Sequence, residues 1–139
     1  MRDCCVLGFD YGTKHIGVAV GQTVTGTASP LQTISTRNSK PDWAEIAVLI
    51  EEWQPDCLIV GEPLNMDGSP QAMTAAANEF ARQLTERFQL PVHKADERLS
   101  TIEARRLLAN RGQLARRDHP VAAKVILDGW LMENTIERT

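Results

Sequence analysis

The 139 residues suit one domain, 1–139, with 42% hydrophobic and 24% charged side chains, and a chain near that length can hide roughly 70% of its unfolded surface. The formal net charge of −3 argues against a protein held to nucleic acid by bulk positive charge, and no apolar run reaches the ~18 residues of a membrane span. Three cysteines, odd in number and without a Cys-x-x-Cys spacing, support neither a disulfide framework nor a zinc site. Met1-Arg2-Asp3 leads into a strand-like run with no secretory cleavage pattern, so the expectation is a cytoplasmic protein.

Cys4 to Asp10 reads as a buried strand, and His15 to Gly21, rich in Ile and Val, as its hairpin partner. Thr25 to Ile34 is a weaker third strand broken by Pro30, and Ser35 to Asp42 is a loop. Trp43, Ile46, Ala47, Ile50 and Trp53 then recur at helical spacing, and Pro55 stops that helix. Cys57 to Gly61 is a short continuous apolar run, as in a buried parallel strand. Glu62 to Pro70 is a loop, and Met73, Ala77, Phe80 and Leu84 give a second helical stripe.

The run "LPVHKA" makes a fifth strand that ends at Asp96 and Glu97. Ser100 and Glu103 form a capping box, so a third helix starts near Thr101 and ends near Gly112. The stretch "DHPVAAKVILDGWLME" is the last helix, with Pro120 in its first turn and His119 as the residue the proline makes the N-cap. Short connections make the first three strands antiparallel, and helical crossovers make the fourth and fifth parallel to the first. In the resulting α/β mixed sheet, the carboxyl ends of strands one, four and five share an edge, where ligand crevices lie.

Asp10, the Gly61–Asn65 loop and the Asp96-Glu97 pair all arrive at that edge. Converging carboxylates repel one another unless a cation or a proton intervenes. Hard oxygen donors, with few histidines and no cysteine among them, point to magnesium or manganese. Two such ions ~3.5–4 Å apart can stabilise the attacking and leaving oxygens of a phosphodiester displacement. The plain alternative is that Asp10 caps the Gly12 turn. Arg105, Arg106, Arg111, Arg116 and Arg117 fall in a stretch with no acidic residue, which reads either as a solvated face or as a local binding surface for nucleic acid.

Four stretches carry a resemblance: "FDYGTKHIGVAVG", "IVGEPLNMDGS", "DERLST" and the closing "AAKVIL" helix. In this order they resemble the YqgF family, RuvC-like nucleases of the RNase H-like fold, from about Val6 to Trp130. The resemblance implies a five-stranded sheet of order 3-2-1-4-5 flanked by helices. It also implies an association with processing the 5′ end of precursor 16S ribosomal RNA. The family's first-strand metal ligand matches Asp10, and the acid of its DERLST motif matches Glu97, beside Asp96. The third acid belongs three residues before the Ala-Ala pair, where this chain has His119; Asp118 stands one residue earlier. Asp118 as ligand, with His119 touching the phosphate or the attacking water, is the expected arrangement; His119 as the ligand itself is the alternative, and an N-cap role is the bland reading of Asp118.

RuvC-type resolvases place an acid where Glu62 stands, but this family's position is more often apolar, so Glu62 reads as a bystander. Lys14 and Arg98 flank the acids and are candidates to hold phosphate oxygens, while Asn65 and Asp67 shape the rim. The expected protein is a magnesium- or manganese-dependent endonuclease of structured nucleic acid, with the arginine stretch gripping the backbone. RuvC-type resolvases work as dimers, so a homodimer is an expectation by analogy with the fold. Rivals are a Holliday junction resolvase acting on branched DNA and a non-catalytic module that binds RNA or a protein. A more distant rival is an actin-like nucleotide-binding enzyme, which would need a second phosphate loop that the chain lacks.

Overall fold

The computed structural model describes residues 4–12, 14–23, 25–37, 40–62, 67, 72–96 and 119–137, with only the main chain at Arg37, Ala72, Asp96, His119 and 132–137. The strands are β1 (Cys5–Asp10), β2 (His15–Gln22), β3 (Thr27–Arg37), β4 (Lys40–Pro41), β5 (Cys57–Glu62) and β6 (Val92–Asp96). The helices are α1 (Trp43–Trp53), α2 (Ala72–Phe88) and α3 (His119–Glu137). The helix expected from Thr101 to Gly112 lies outside the described residues.

The strands form one mixed sheet of order β4-β3-β2-β1-β5-β6. β1 pairs antiparallel with β2 and parallel with β5, and β5 pairs parallel with β6. The expected order is therefore present, but the sheet has six strands, not five. Lys40 and Pro41 turn back to pair with Arg37 and Thr36, a two-residue strand too short to leave a periodic signal. Pro30 does not break β3. The register slips there, with Val18 opposite Gln32 and Ala19 opposite Pro30, and a bulge is where a strand tolerates a residue with no N–H.

Two apolar layers cover the sheet. On one face Leu7, Phe9, Ile16, Val18, Leu58 and Val60 pack against Ile46 and Leu49 of α1 and Phe80, Ala81 and Leu84 of α2. α1 opens on Asp42, whose Oδ1 accepts from Glu45 N at 3.2 Å, a cap worth about 1 kcal/mol. It closes on Gln54 in the left-handed region (φ 47°), so the reversal is complete before Pro55. Leu49, absent from the expected stripe, is buried, whereas Trp53 is 36% exposed because the helix ends there.

On the other face Val6, Ala19, Ala28 and Ile59 meet Ala123, Ile126, Leu127 and Leu131 of α3. The strand residues there are small, and two are glycines. A Cβ at Gly8 would stand 3.0 Å from Leu127 Cβ, and one at Gly21 would stand 2.7 Å from Leu131 Cδ1. Both glycines are thus demanded by how closely α3 lies on the sheet. Leu127 Cβ is fixed to the helix backbone, so relief at Gly8 requires the helix to move. We expect Gly8→Ala to lower stability by about 1–3 kcal/mol, the usual cost of overpacking a core, measured as a reduced urea midpoint with an unchanged slope.

Candidate active site at the carboxyl edge

Side chains alternate along a strand, and the two core layers calibrate that alternation. In β1, Val6 lies in the α3 layer, while Leu7 and Phe9 lie in the α1/α2 layer. Gly8 faces Leu127 of α3. Asp10, the next residue of that parity, therefore ends its strand on the α3 face, half-buried at the mouth of the sheet. The last residue pair joining β1 to β5 is Phe9↔Val60, so Asp10 stands just where that ladder runs out.

α3 brings its own beginning to the same place. Leu131 lies against Gly21, which pairs with Val6 near the start of β1, and Leu127 lies against Gly8 farther along the strand. The helix thus runs opposite to β1. Its first residue, His119, precedes Leu127 by eight positions, about 12 Å along a helix axis, while Asp10 is about 7 Å beyond Gly8. The first turn of α3 is accordingly directed towards the carboxyl edge, on the face where Asp10 sits. His119 is the first residue of the helix, so it is not the N-cap that Pro120 was expected to make it; Pro120 takes the second position. Asp118 lies outside the described residues.

Glu62 ends β5 at the same edge, in register with Asp96 of β6. Its alternation runs the other way: Leu58 and Val60 are in the α1/α2 layer and Ile59 in the α3 layer, so Glu62 belongs to the α1/α2 face, away from Asp10. Glu97, Asn65, Arg98, Arg105, Arg106, Arg111, Arg116 and Arg117 lie outside the described residues. Asp67 is exposed.

Lys14 is exposed at the turn after β1, and its carbonyl accepts from Thr36 N at 3.2 Å, tying the turn to β3. That turn is tight: a Cβ at Gly12 would fall 2.6 Å from the His15 carbonyl oxygen. Gly12 is therefore required by the close approach of the chain to itself directly after Asp10. Among the described residues no three His, Cys, Asp or Glu side chains are grouped closely enough to hold an ion.

The α1/α2 face carries a feature that the sequence reading missed. A groove of about 540 Å³ is lined by Tyr11, Lys40, Pro41, Trp43, Phe80, Gln83 and Arg87, with Ala76 and Glu79. Its members come from Tyr11, just after β1, and from β4, α1 and α2. The one available signal was Tyr11, the chain's single tyrosine, immediately after the candidate metal ligand.

A mixed sheet with a carboxylate at the tip of its central strand, faced by the start of a long helix, is the arrangement of the RuvC-like branch of RNase H-like folds. The chain belongs to the RuvX family, described as Holliday junction resolvase, whose pattern matches residues 4–133; it is a family of nucleases. A Pseudomonas putida protein named "Putative pre-16S rRNA nuclease" is 55% identical over 135 residues, covering 94% of this chain and 96% of that relative. An Azotobacter vinelandii protein of the same name is 51% identical over 132 residues, covering 92% and 93%. Among solved structures, Thermus thermophilus RuvC in complex with a Holliday junction substrate superposes with a TM-score of 0.65 at 16% identity, covering 96% of each chain. The fowlpox virus Holliday junction resolvase gives 0.54 at 14% identity, covering 94% of this chain and 98% of that one. At such identities these two structures speak for the fold.

The two faces yield a direct test. We expect Asp10→Asn to reduce cleavage by more than the roughly 100-fold that loss of an outer partner of a metal ligand costs. Glu62→Gln should leave the rate within a few-fold of the parent. Single-turnover cleavage by the two variants compares them.

Proposed function

We propose that this chain is a divalent-metal-dependent endonuclease that processes the 5′ end of precursor 16S ribosomal RNA. The observation that carries the proposal is the approach of Asp10 and the first turn of α3 on one face of the sheet, at its carboxyl edge. Asp10, with Glu97 and Asp118, would hold magnesium or manganese. The donor set fits: Asp10 offers hard oxygens, while Cys4 and Cys5 precede or open β1 and Cys57 opens β5, so the soft sulfur donors are at the opposite edge. A cation bound there offsets charge on the phosphate and lowers the pKa of the attacking water.

The chain's own groups position the substrate. Lys14 at the turn and Arg98 after the acids bind phosphate oxygens with charge-assisted hydrogen bonds. Arg105, Arg106, Arg111, Arg116 and Arg117 hold the backbone without reading sequence. His119, at the first position of α3, would touch the attacking water or the phosphate. In this reading 1–139 is one domain working in the cytoplasm, as a homodimer like RuvC-type resolvases. Among the described residues no helix is long and apolar enough to cross a membrane. The RuvX family's description as Holliday junction resolvase favours a second reading, cleavage of four-way DNA junctions.

The test offers both substrates to purified protein with magnesium. Cleavage of precursor 16S RNA near its mature 5′ end, abolished by EDTA and restored by magnesium or manganese, is the expected result. Cleavage of the junction alone would establish the second reading, and cleavage of neither would refute both. In the same assay Asp118→Asn should abolish activity while His119→Ala weakens it. Loss confined to His119→Ala, with a shift towards manganese, would make the histidine the ligand.

Replacing Arg116 and Arg117 with alanine should weaken binding about equally for all sequences. It should also flatten the plot of log affinity against log salt by roughly 0.9 per lost phosphate contact on a duplex. A salt titration by fluorescence anisotropy measures that slope.

A further inference from the structure

We propose that the groove on the α1/α2 face is a stacking pocket for one unpaired base of the strand whose backbone lies at the carboxyl edge. The inference rests on the nucleic-acid reading above and adds where, and by what chemistry, the strand is held beside the cleavage site.

Position is the first argument. Tyr11 follows Asp10 directly, with Cα atoms about 3.8 Å apart, and its ring packs into the α1/α2 layer. Asp10 belongs to the opposite face. A strand whose phosphate is held by Asp10 through a cation thus lies at the same sheet edge as Tyr11.

Ring geometry is the second. Phe80, 2% exposed, is the floor. Tyr11 lies 5.0 Å from it at an interplanar angle of 33°, and Trp43 lies 5.6 Å away at 24°. The Trp43 ring is stacked and the Tyr11 ring tilted, unlike the edge-on packing of Phe9 against the same ring at 72°. The Arg87 guanidinium sits over the Trp43 indole, 4.3 Å from its centroid, and extends the run of flat groups. Planar side chains and stacked guanidinium groups are the surfaces on which splayed bases rest, because every base has a π-face.

Charge is the third. Lys40 and Arg87 are exposed at the groove, in a chain whose net charge is −3. The carboxylate of Glu79 also borders it, but it pairs with Arg82 one helical turn on. That hydrogen bond holds Glu79 below the usual carboxylate range, and Arg82, which also pairs with Glu86, offsets part of its charge. Two cations, an amide at Gln83 and aromatic walls suit an anionic occupant with a flat, hydrogen-bonding ring. An apolar peptide would bring no charge to set against Lys40 and Arg87.

The experiment uses the full chain in EDTA and two unstructured oligoribonucleotides of equal length and charge. One carries 2-aminopurine at a single position, and the other is abasic there. The expected result is binding roughly 5- to 150-fold tighter for the base-bearing strand, the range that stacking of one base supplies, with quenching of 2-aminopurine emission. Tyr11→Ala should erase both the preference and the quenching. Arg87→Ala, a change at an exposed position, should reduce the preference without disturbing the fold, so the test stands even where Tyr11→Ala fails to fold. Equal binding of the two strands by a protein that still cleaves its substrate would overturn the pocket and leave the nuclease reading intact. A preference with quenching in a protein that cleaves nothing would uphold the pocket while the nuclease reading fell. Binding of free 2-aminopurine riboside monophosphate as tightly as the strand would overturn it in favour of a small-molecule site.

Discussion

β1 is paired on both sides, and that constraint organises everything around it. Its main chain is committed to β2 on one side and β5 on the other, so its side chains can only alternate between two covered faces. Val6, Leu7 and Phe9 are wholly buried as a result. A carboxylate within that run would be stranded, since burying an unpaired charge costs several kcal/mol after relaxation. Asp10 is tolerable because it stands where the β5 ladder has ended and the strand opens towards solvent. The position that permits the charge is also the one that the parallel strands and the start of α3 surround.

The two faces of the sheet therefore deliver different chemistries to one edge. The α3 face contributes a carboxylate on a rigid strand, with a helix laid closely over glycines behind it. The α1/α2 face contributes flat rings and cations around a buried phenylalanine. A site placed on strand ends and packed helices holds its geometry more narrowly than one placed on loops. The carboxylate of Asp10 and the ring of Tyr11, on opposite faces, are a single residue apart in the chain.

How much of this was legible in the sequence varies with the kind of signal. β1, β2 and β5 announce themselves through continuous runs of Val, Ile and Leu, and Asp10 stands out because it ends such a run. β4 left no signal, because two residues exist as a strand only through their pairing with Thr36 and Arg37. Pro30 suggested a break where the sheet instead absorbs it in a bulge, an accommodation that depends on the partner strand. Trp53 had the right spacing for the core, but the chain turns away at Gln54, and Leu49 takes the buried place. The expectation that Glu62 is a bystander rested on a family pattern; the face it occupies needs the register of β5. The groove was invisible, since three separate stretches of the chain build it, at Tyr11, 40–43 and 76–87, and no local pattern links Tyr11 to Arg87.

The outer strand β3 is closed at both ends, by unrelated means. Near its start, Asp128 of α3 reaches over the sheet and accepts from Ala28 N at 2.9 Å, using an amide that the ladder to β2 leaves spare. Near its finish, Lys40 and Pro41 lie alongside Thr36 and Arg37, and the proline has no N–H to offer a newcomer. A bare strand at a sheet margin is a template for another chain, and aggregation by strand addition begins at such margins. With Ala28 occupied and the far end fenced by a proline, this margin is a poor template. Association of copies by continuing the sheet past the two ends of β3 is therefore disfavoured.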